Sequence, residues 1–222
     1  MEILPFHSTR GCLSFLVIDH ESHKAALIDP TEEIPDATYL STLSEHGARL
    51  EYLIETHTHA DHISLAPRLR ELTGAQIMRH LHAPSKQKDT TLVGGESLSL
   101  GSVSLEILAT PGHTDESISI VVPGAVFTGD ALLIGGTGRT DFQAGSSEAL
   151  YESLHTALAV LPDDTVVYPA HDYKGRTSST LGQERLTNPR LTLSREAFIE
   201  TMNAHHPSTP ELFTVAIERN SQ

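Results

Sequence analysis

Thr56-His57-Thr58-His59-Ala60-Asp61-His62 places three imidazoles and one carboxylate at relative positions 1, 3, 5 and 6 of the six residues that begin at His57. The apolar run Tyr52-Leu53-Ile54 comes just before. A strand feeding a tight loop could aim all four heads into one small volume, and clustered nitrogen and oxygen donors read most simply as metal ligands. The plain alternative is a solvated His-rich turn, against which three further signals of the same kind weigh.

Each of those signals is an apolar run with a donor at its end. Val103-Ser104-Leu105-Glu106-Ile107 leads to Thr110-Pro111-Gly112-His113, Ala125-Val126-Phe127 to Thr128-Gly129-Asp130, and Thr165-Val166-Val167-Tyr168 to Pro169-Ala170-His171. Open α/β sheets carry their sites at the carboxyl ends of strands. Loops delivering His, His, Asp and His to one rim therefore form a coherent construction.

The pattern resembles the metallo-β-lactamase superfamily, whose hallmark is an H-x-H-x-D-H loop followed by His, Asp and His on later strands. The resemblance runs from about residue 11 to about residue 191. It implies a first metal site drawing on His57, His59 and His113, a second drawing on Asp61, His62 and His171, and Asp130 between the two.

The elements that must position these residues are legible in the periodicity. Residues 13–18 and 25–29 read as a hairpin of two strands around a polar turn containing His20 and His23. Asp36 is placed to cap a helix carrying Tyr39, Leu40 and Leu43, with Gly47 ending it; Ser64 is placed to cap a helix over 65–73, closed by Gly74. Strands are expected at 51–55, 75–78, 97–100 and 103–109, and a hairpin at 118–122 and 125–127. His80 and His82 read as surface histidines, because no acidic partner stands close by. A helix from Ser146 to about Val160 carries the stripe Leu150, Leu154, Ala157, Leu158 and Leu161. Strand runs alternating with amphipathic helices make two sheets packed face to face with helices outside, an α/β layered architecture that agrees with the αββα sandwich the resemblance implies. A single domain over 1–222 is expected, with a helical, peripheral tail from about 194 to 222 that ends in a short helix or a frayed terminus.

Composition narrows the function classes. With 222 residues and 38% hydrophobic content the chain can build one sizeable core. A formal charge of −14, from 15 Lys and Arg against 29 acids, argues against nucleic acid or an anionic membrane as a partner. Cys12 is the only cysteine, expected to be buried and inert, and with no intrachain disulfide available a reducing, cytoplasmic setting is expected. No stretch approaches the roughly 18 apolar residues of a membrane span.

Around the site, Gly138-Arg139-Thr140-Asp141-Phe142-Gln143, His171-Asp172-Tyr173-Lys174-Gly175, Gln183-Glu184-Arg185 and Asn188-Pro189-Arg190 are each similar to motifs of the persulfide dioxygenases. That resemblance implies one Fe(II) per chain on His57, His113 and Asp130, with His59, Asp61, His62 and His171 as second-site or outer candidates. It also implies O2 and a low-molecular-weight thiol persulfide, such as glutathione persulfide, as substrates, sulfite and thiol as products, and a homodimer as the common assembly. Two His and one carboxylate on one face of Fe(II) leave room for both substrates, whereas zinc is redox-silent. Arg139 is a candidate for organising the site or steering an anionic thiol, Tyr173 for hydrogen bonding at the centre, and Lys174 and Arg176 for substrate carboxylates. Two departures stand out: Gly135 and Thr137 occupy positions that are often Arg and Cys in that family. The rival readings are a thioester hydrolase resembling glyoxalase II with two Zn(II) per chain, and a metal-binding protein without catalysis.

Overall fold

Residues Leu13–Asp19 show no alternation of polar and apolar types because both faces of their strand are covered: every one of them is buried. Phe15 and Val17 face one core cluster and Leu16 and Ile18 another. That single strand already states the architecture, a sheet with a second sheet on one side and helices on the other. The computed structural model describes residues 1–222.

The first sheet runs in chain order through β1 (Glu2–His7), β2 (Leu13–Asp19), β3 (Lys24–Ile28), β4 (Arg49–Ile54), β5 (Gln76–His80) and β6 (Thr90–Leu92). Its first three strands are antiparallel and the pairs from β3 to β6 are parallel. The second sheet contains β7 (Ser97–Leu100), β8 (Val103–Ala109), β9 (Ile118–Val122), β10 (Ala125–Gly129), β11 (Val166–Pro169) and β12 (Ser179–Thr180), in the order β12-β11-β10-β9-β8-β7. Only β10 and β11 pair in parallel there. Phe15, Ile28 and Ile54 of the first sheet meet Ile107, Ile120 and Phe127 of the second in a cluster of 17 buried residues.

Helices close both outer faces. α1 (Asp36–Glu45) and α2 (Ala66–Thr73) pack Tyr39, Leu43 and Leu69 on Leu16, Leu27 and Leu53. α3 (Ser147–Glu152), continued by a π turn over Ser153–Ala157, and α5 (Arg195–Asn203) pack Leu150, Leu154, Phe198 and Met202 on Val126 and Val167. The short α4 (Leu181–Thr187) follows β12, and α6 (Phe213–Asn220) ends the chain. No helix is long and apolar enough to cross a membrane.

Three expectations need correction, and one strand, β1, was not anticipated. The helix from Ser146 does not run regularly to Val160: it widens into the π turn, where Ser153 Oγ donates to the Pro111 carbonyl at 2.7 Å, and Val160 is left exposed. His80 is buried, because it ends β5 between two parallel neighbours. β1 lacked a clear signal; it contains Pro5, which an edge strand tolerates. The tail is not peripheral throughout: Ala216 and Asn220 of α6 are buried.

Candidate metal centre

The carboxyl ends of β4, β8, β10 and β11 carry His57 to His62, His113, Asp130 and His171 to one rim. β2 reaches the same rim from the opposite direction. An isolated antiparallel bridge pairs Cys12 with His171, and the Leu13 N–H donates to the Ala170 carbonyl at 2.8 Å. Glycine makes two close approaches possible. A Cβ on Gly112, at φ +141°, would run into the Leu150 backbone, and one on Gly138 would meet the Asp130 carbonyl and lie 2.8 Å from His113 Nδ1.

His57, His113 and Asp130 each present a donor atom within 4.8 Å of the other two. The hydrogen bonds behind the rings fix their tautomers. Thr56 Oγ1 donates to Asp29 Oδ2 at 2.8 Å, so toward His57 Nδ1, 3.0 Å away, it serves as acceptor. His113 Nδ1 lies 2.7 Å from the Arg139 carbonyl, which can only accept. Both rings thus hold a proton on Nδ1 and leave Nε2 as the atom turned to the site, the orientation a metal-ligating histidine requires. Burial and the adjacent His59 push His57 well below the ordinary histidine range, which keeps it neutral. Burial opposes ionisation of Asp130, but the charge and hydrogen bond of His171 outweigh it and hold the carboxyl well below its usual range. Asp130 Oδ1 accepts from His171 Nδ1 at 2.6 Å, while Oδ2 faces His113 Nε2 at 3.6 Å. Two imidazoles anchored at Nδ1 and one carboxylate match a 2-His-1-carboxylate donor set.

Cys12, Asp61, His62 and His171 form a second group whose donor atoms also lie within 4.8 Å of one another. His171 Nε2 is 2.7 Å from Asp61 Oδ2 but off the line a hydrogen bond needs. His59 belongs to neither group. Its Nε2 lies 3.1 Å from Asp29 Oδ1 and 3.3 Å from Glu55 Oε2, which leaves Nδ1 as its unpartnered nitrogen beside the His57 ring, 4.1 Å away between centroids. Burial resists a charge on His59, yet Asp29 and Glu55 overcome it and hold the ring well above the ordinary range. Four ring nitrogens on this rim, His59 Nδ1, both of His62 and His171 Nε2, are buried without a hydrogen-bond partner. Buried orphan polar atoms are costly, and a cation that displaces their protons and takes the ring lone pairs is a ligand that would satisfy such nitrogens.

Outside these clusters, a cavity of about 400 Å³ opens onto His57, His113 and Asp130 and is walled by Arg139, Tyr173 and the segment from His205 to Glu211. The Arg139 guanidinium is fully engaged. It holds Asp141 at 2.6 and 2.7 Å, donates to the Pro207 and Ser208 carbonyls at 2.9 and 3.0 Å, and lies 3.9 Å from the centre of the Phe142 ring. Tyr173 is exposed and stacks parallel to His171 at 6.1 Å. Arg176 is drawn away to Asp172 and the Ile134 carbonyl. Arg10, at the cavity rim beside Glu33 and Glu211, is a cation the sequence did not single out.

Sequence reasoning also passed over Asp29, Cys12 and Asn220. Asp29 had a signal, since it ends the apolar run Ala25-Ala26-Leu27-Ile28 in the same way that the ligands end theirs. Cys12 had none: it precedes a strand rather than following one. It is buried as expected, but it sits among metal-competent side chains, and the pull of His171 and His62 outweighs burial and lowers its thiol.

Residues 8–171 match the model of the metallo-beta-lactamase superfamily. The human protein "Persulfide dioxygenase ETHE1, mitochondrial" (Homo sapiens) is 42% identical over 218 residues, covering 97% of this chain and 85% of that one. The crystal structure of ETHE1 from Myxococcus xanthus is similar with a TM-score of 0.96 and 38% identity, over 100% of this chain and 98% of that one. A hydroxyacylglutathione hydrolase of Fuscovulum blasticum is 36% identical over 209 residues, 91% of this chain and 78% of its own. With the two-sheet fold and the His and Asp loops on its rim, this chain belongs to the metallo-β-lactamase superfamily. Within the superfamily, its likeness over nearly the whole length places it in the persulfide dioxygenase family.

Proposed function

We propose that this chain is a persulfide dioxygenase. It is an oxidoreductase that takes a low-molecular-weight thiol persulfide, with glutathione persulfide the first to test, and uses O2 to oxidise its outer sulfur to sulfite and release the thiol. One Fe(II) per chain is held by His57, His113 and Asp130. The observation that carries the reading is that His57 and His113, each anchored at Nδ1, and Asp130 bring one donor atom apiece within 4.8 Å of one another.

Iron bound there would supply the electron-transfer chemistry with dioxygen that no side chain performs. The protein's own part is placement. Thr56, through Asp29, and the Arg139 carbonyl fix the two imidazoles, and His171 fixes the carboxylate. A cavity of about 400 Å³ lies in the range of small-molecule sites. Arg139 organises the site: its carbonyl orients His113 and its guanidinium holds the 207–208 segment as a cavity wall. Tyr173, on the cavity lining, is placed to hydrogen-bond the bound substrate, and Arg10, on the same lining and paired with Glu33 and Glu211, is the cation a substrate carboxylate would draw on. A single cysteine supports a reducing compartment, which we read as the cytoplasm.

The second donor group and the hydrolase relative favour one rival, a thioester hydrolase with two Zn(II) per chain. O2 uptake by the anaerobically iron-loaded protein with glutathione persulfide decides between them. Uptake with sulfite formation is expected. No uptake together with rapid thioester hydrolysis would establish the hydrolase, and inactivity in both assays would point to a non-catalytic metal-binding protein.

A further inference from the structure

The loop that carries His57 to His62 is held from behind by a residue near the other end of the chain. Asn220, the last residue of α6, is 4% exposed. Its Nδ2 donates to the His59 carbonyl at 2.8 Å and to the His62 carbonyl at 2.9 Å, and its Oδ1 accepts from the Ser64 N–H at 2.9 Å. These three backbone groups lie outside both sheets, where no strand ladder can satisfy them. One side chain therefore spans the second half of the metal-binding loop and the start of the segment leading into α2.

The same residue closes a ring around His59. The Asn220 carbonyl accepts from Arg79 Nη1 at 3.0 Å, Arg79 Nη2 lies 3.8 Å from Glu55 Oε1, and Glu55 Oε2 lies 3.3 Å from His59 Nε2. His59 is thus fixed at its carbonyl by the Asn220 amide and at its ring by a chain of charges anchored on the Asn220 carbonyl. An amide is the group this position calls for, since it offers two donors for two carbonyls and one acceptor for one N–H.

We infer that Asn220 is a positioning residue for the metal centre, setting the curvature of the His57–His62 loop and through it the placement of the loop's ligands. This rests on the reading that the loop holds a metal. It makes the terminal helix a component of the site and not merely a cover. Residues that orient ligands from behind typically influence metal affinity by about 10–100-fold when removed.

The test is titration of the metal-free chain with Co²⁺, followed by the visible d–d absorption, which reads affinity and coordination geometry without any turnover. Asn220→Ala removes all three bonds. Asn220→Asp keeps the shape and the acceptor for Ser64 but loses both donations, and it serves where the alanine variant does not fold. Arg219→Ala is the control, because it cuts the exposed Arg219–Glu32 contact of the same helix at 3.1 Å and touches no loop group. Expected are at least a tenfold loss of Co²⁺ affinity and an altered d–d spectrum in the Asn220 variants, with both retained in Arg219→Ala. Wild-type affinity and spectrum in either Asn220 variant would overturn the inference, as would an equal change in Arg219→Ala, which would reduce the effect to helix docking. A wild-type chain that takes up no Co²⁺ would instead bring down the metal-centre reading on which the inference rests.

Discussion

His171 Nδ1 donates to Asp130 Oδ1 at 2.6 Å, joining the loop after β11 to the loop after β10. The bond takes one oxygen of the only carboxylate in the His57–His113–Asp130 group and leaves Oδ2 for an ion. It also gives His171 a role at the first site that does not depend on any ion at the second.

His171→Ala should therefore weaken iron retention without abolishing it. Loss of a hydrogen bond to a ligand costs about 10–100-fold in metal affinity. Competition with a chelator of known strength measures the loss, and an unchanged affinity would show that Asp130 needs no such support.

Arg139→Ala should leave the iron in place, since the bond to His113 comes from the backbone carbonyl, which alanine keeps. The side chain's bonds to Asp141, Pro207 and Ser208 are lost. The expected result is turnover lower by about tenfold, equivalent to roughly 1.4 kcal/mol in the barrier, with faster proteolysis between residues 204 and 212. Full activity would remove Arg139 from the mechanism.

Glu116 provides a pH test on a residue that supports the His57–His62 loop without belonging to the candidate ligand groups. Burial raises its carboxyl above the ordinary range even though it accepts from the Thr58 N–H at 2.7 Å. An acid whose pKa is raised by folding contributes its full stability below its unfolded value and loses it as pH climbs through the folded value. Glu116→Gln should therefore match the wild type in acid and exceed it at neutral pH, by about 2–4 °C in Tm for each kcal/mol gained. Thermal melts at a series of pH values measure this, and a stability difference independent of pH would contradict it.

Much of the candidate site was legible because the residues the structure gathers on its rim share one local rule, a donor at the carboxyl end of an apolar strand. His57, His113, Asp130 and His171 all follow it, and the layered fold followed from strand runs alternating with amphipathic helices. What escaped lies in long-range pairing. Cys12 reaches the rim through an antiparallel bridge to His171, and Asn220 reaches its loop across a sequence separation of 158 to 161 residues. Neither residue carries a periodicity that would announce it. The orientation of the His59 ring was hidden for a related reason: spacing places a side chain in a loop but does not decide which of its nitrogens meets Asp29 and Glu55.

The central claim is that His57, His113 and Asp130 together hold one redox-active ion. Asp130→Asn keeps the shape of the side chain and removes the group's only negative charge, so iron content per chain after anaerobic loading and desalting is the most direct measurement. The account predicts one iron per chain in the wild type and almost none in Asp130→Asn. Equal iron in the two proteins would contradict it.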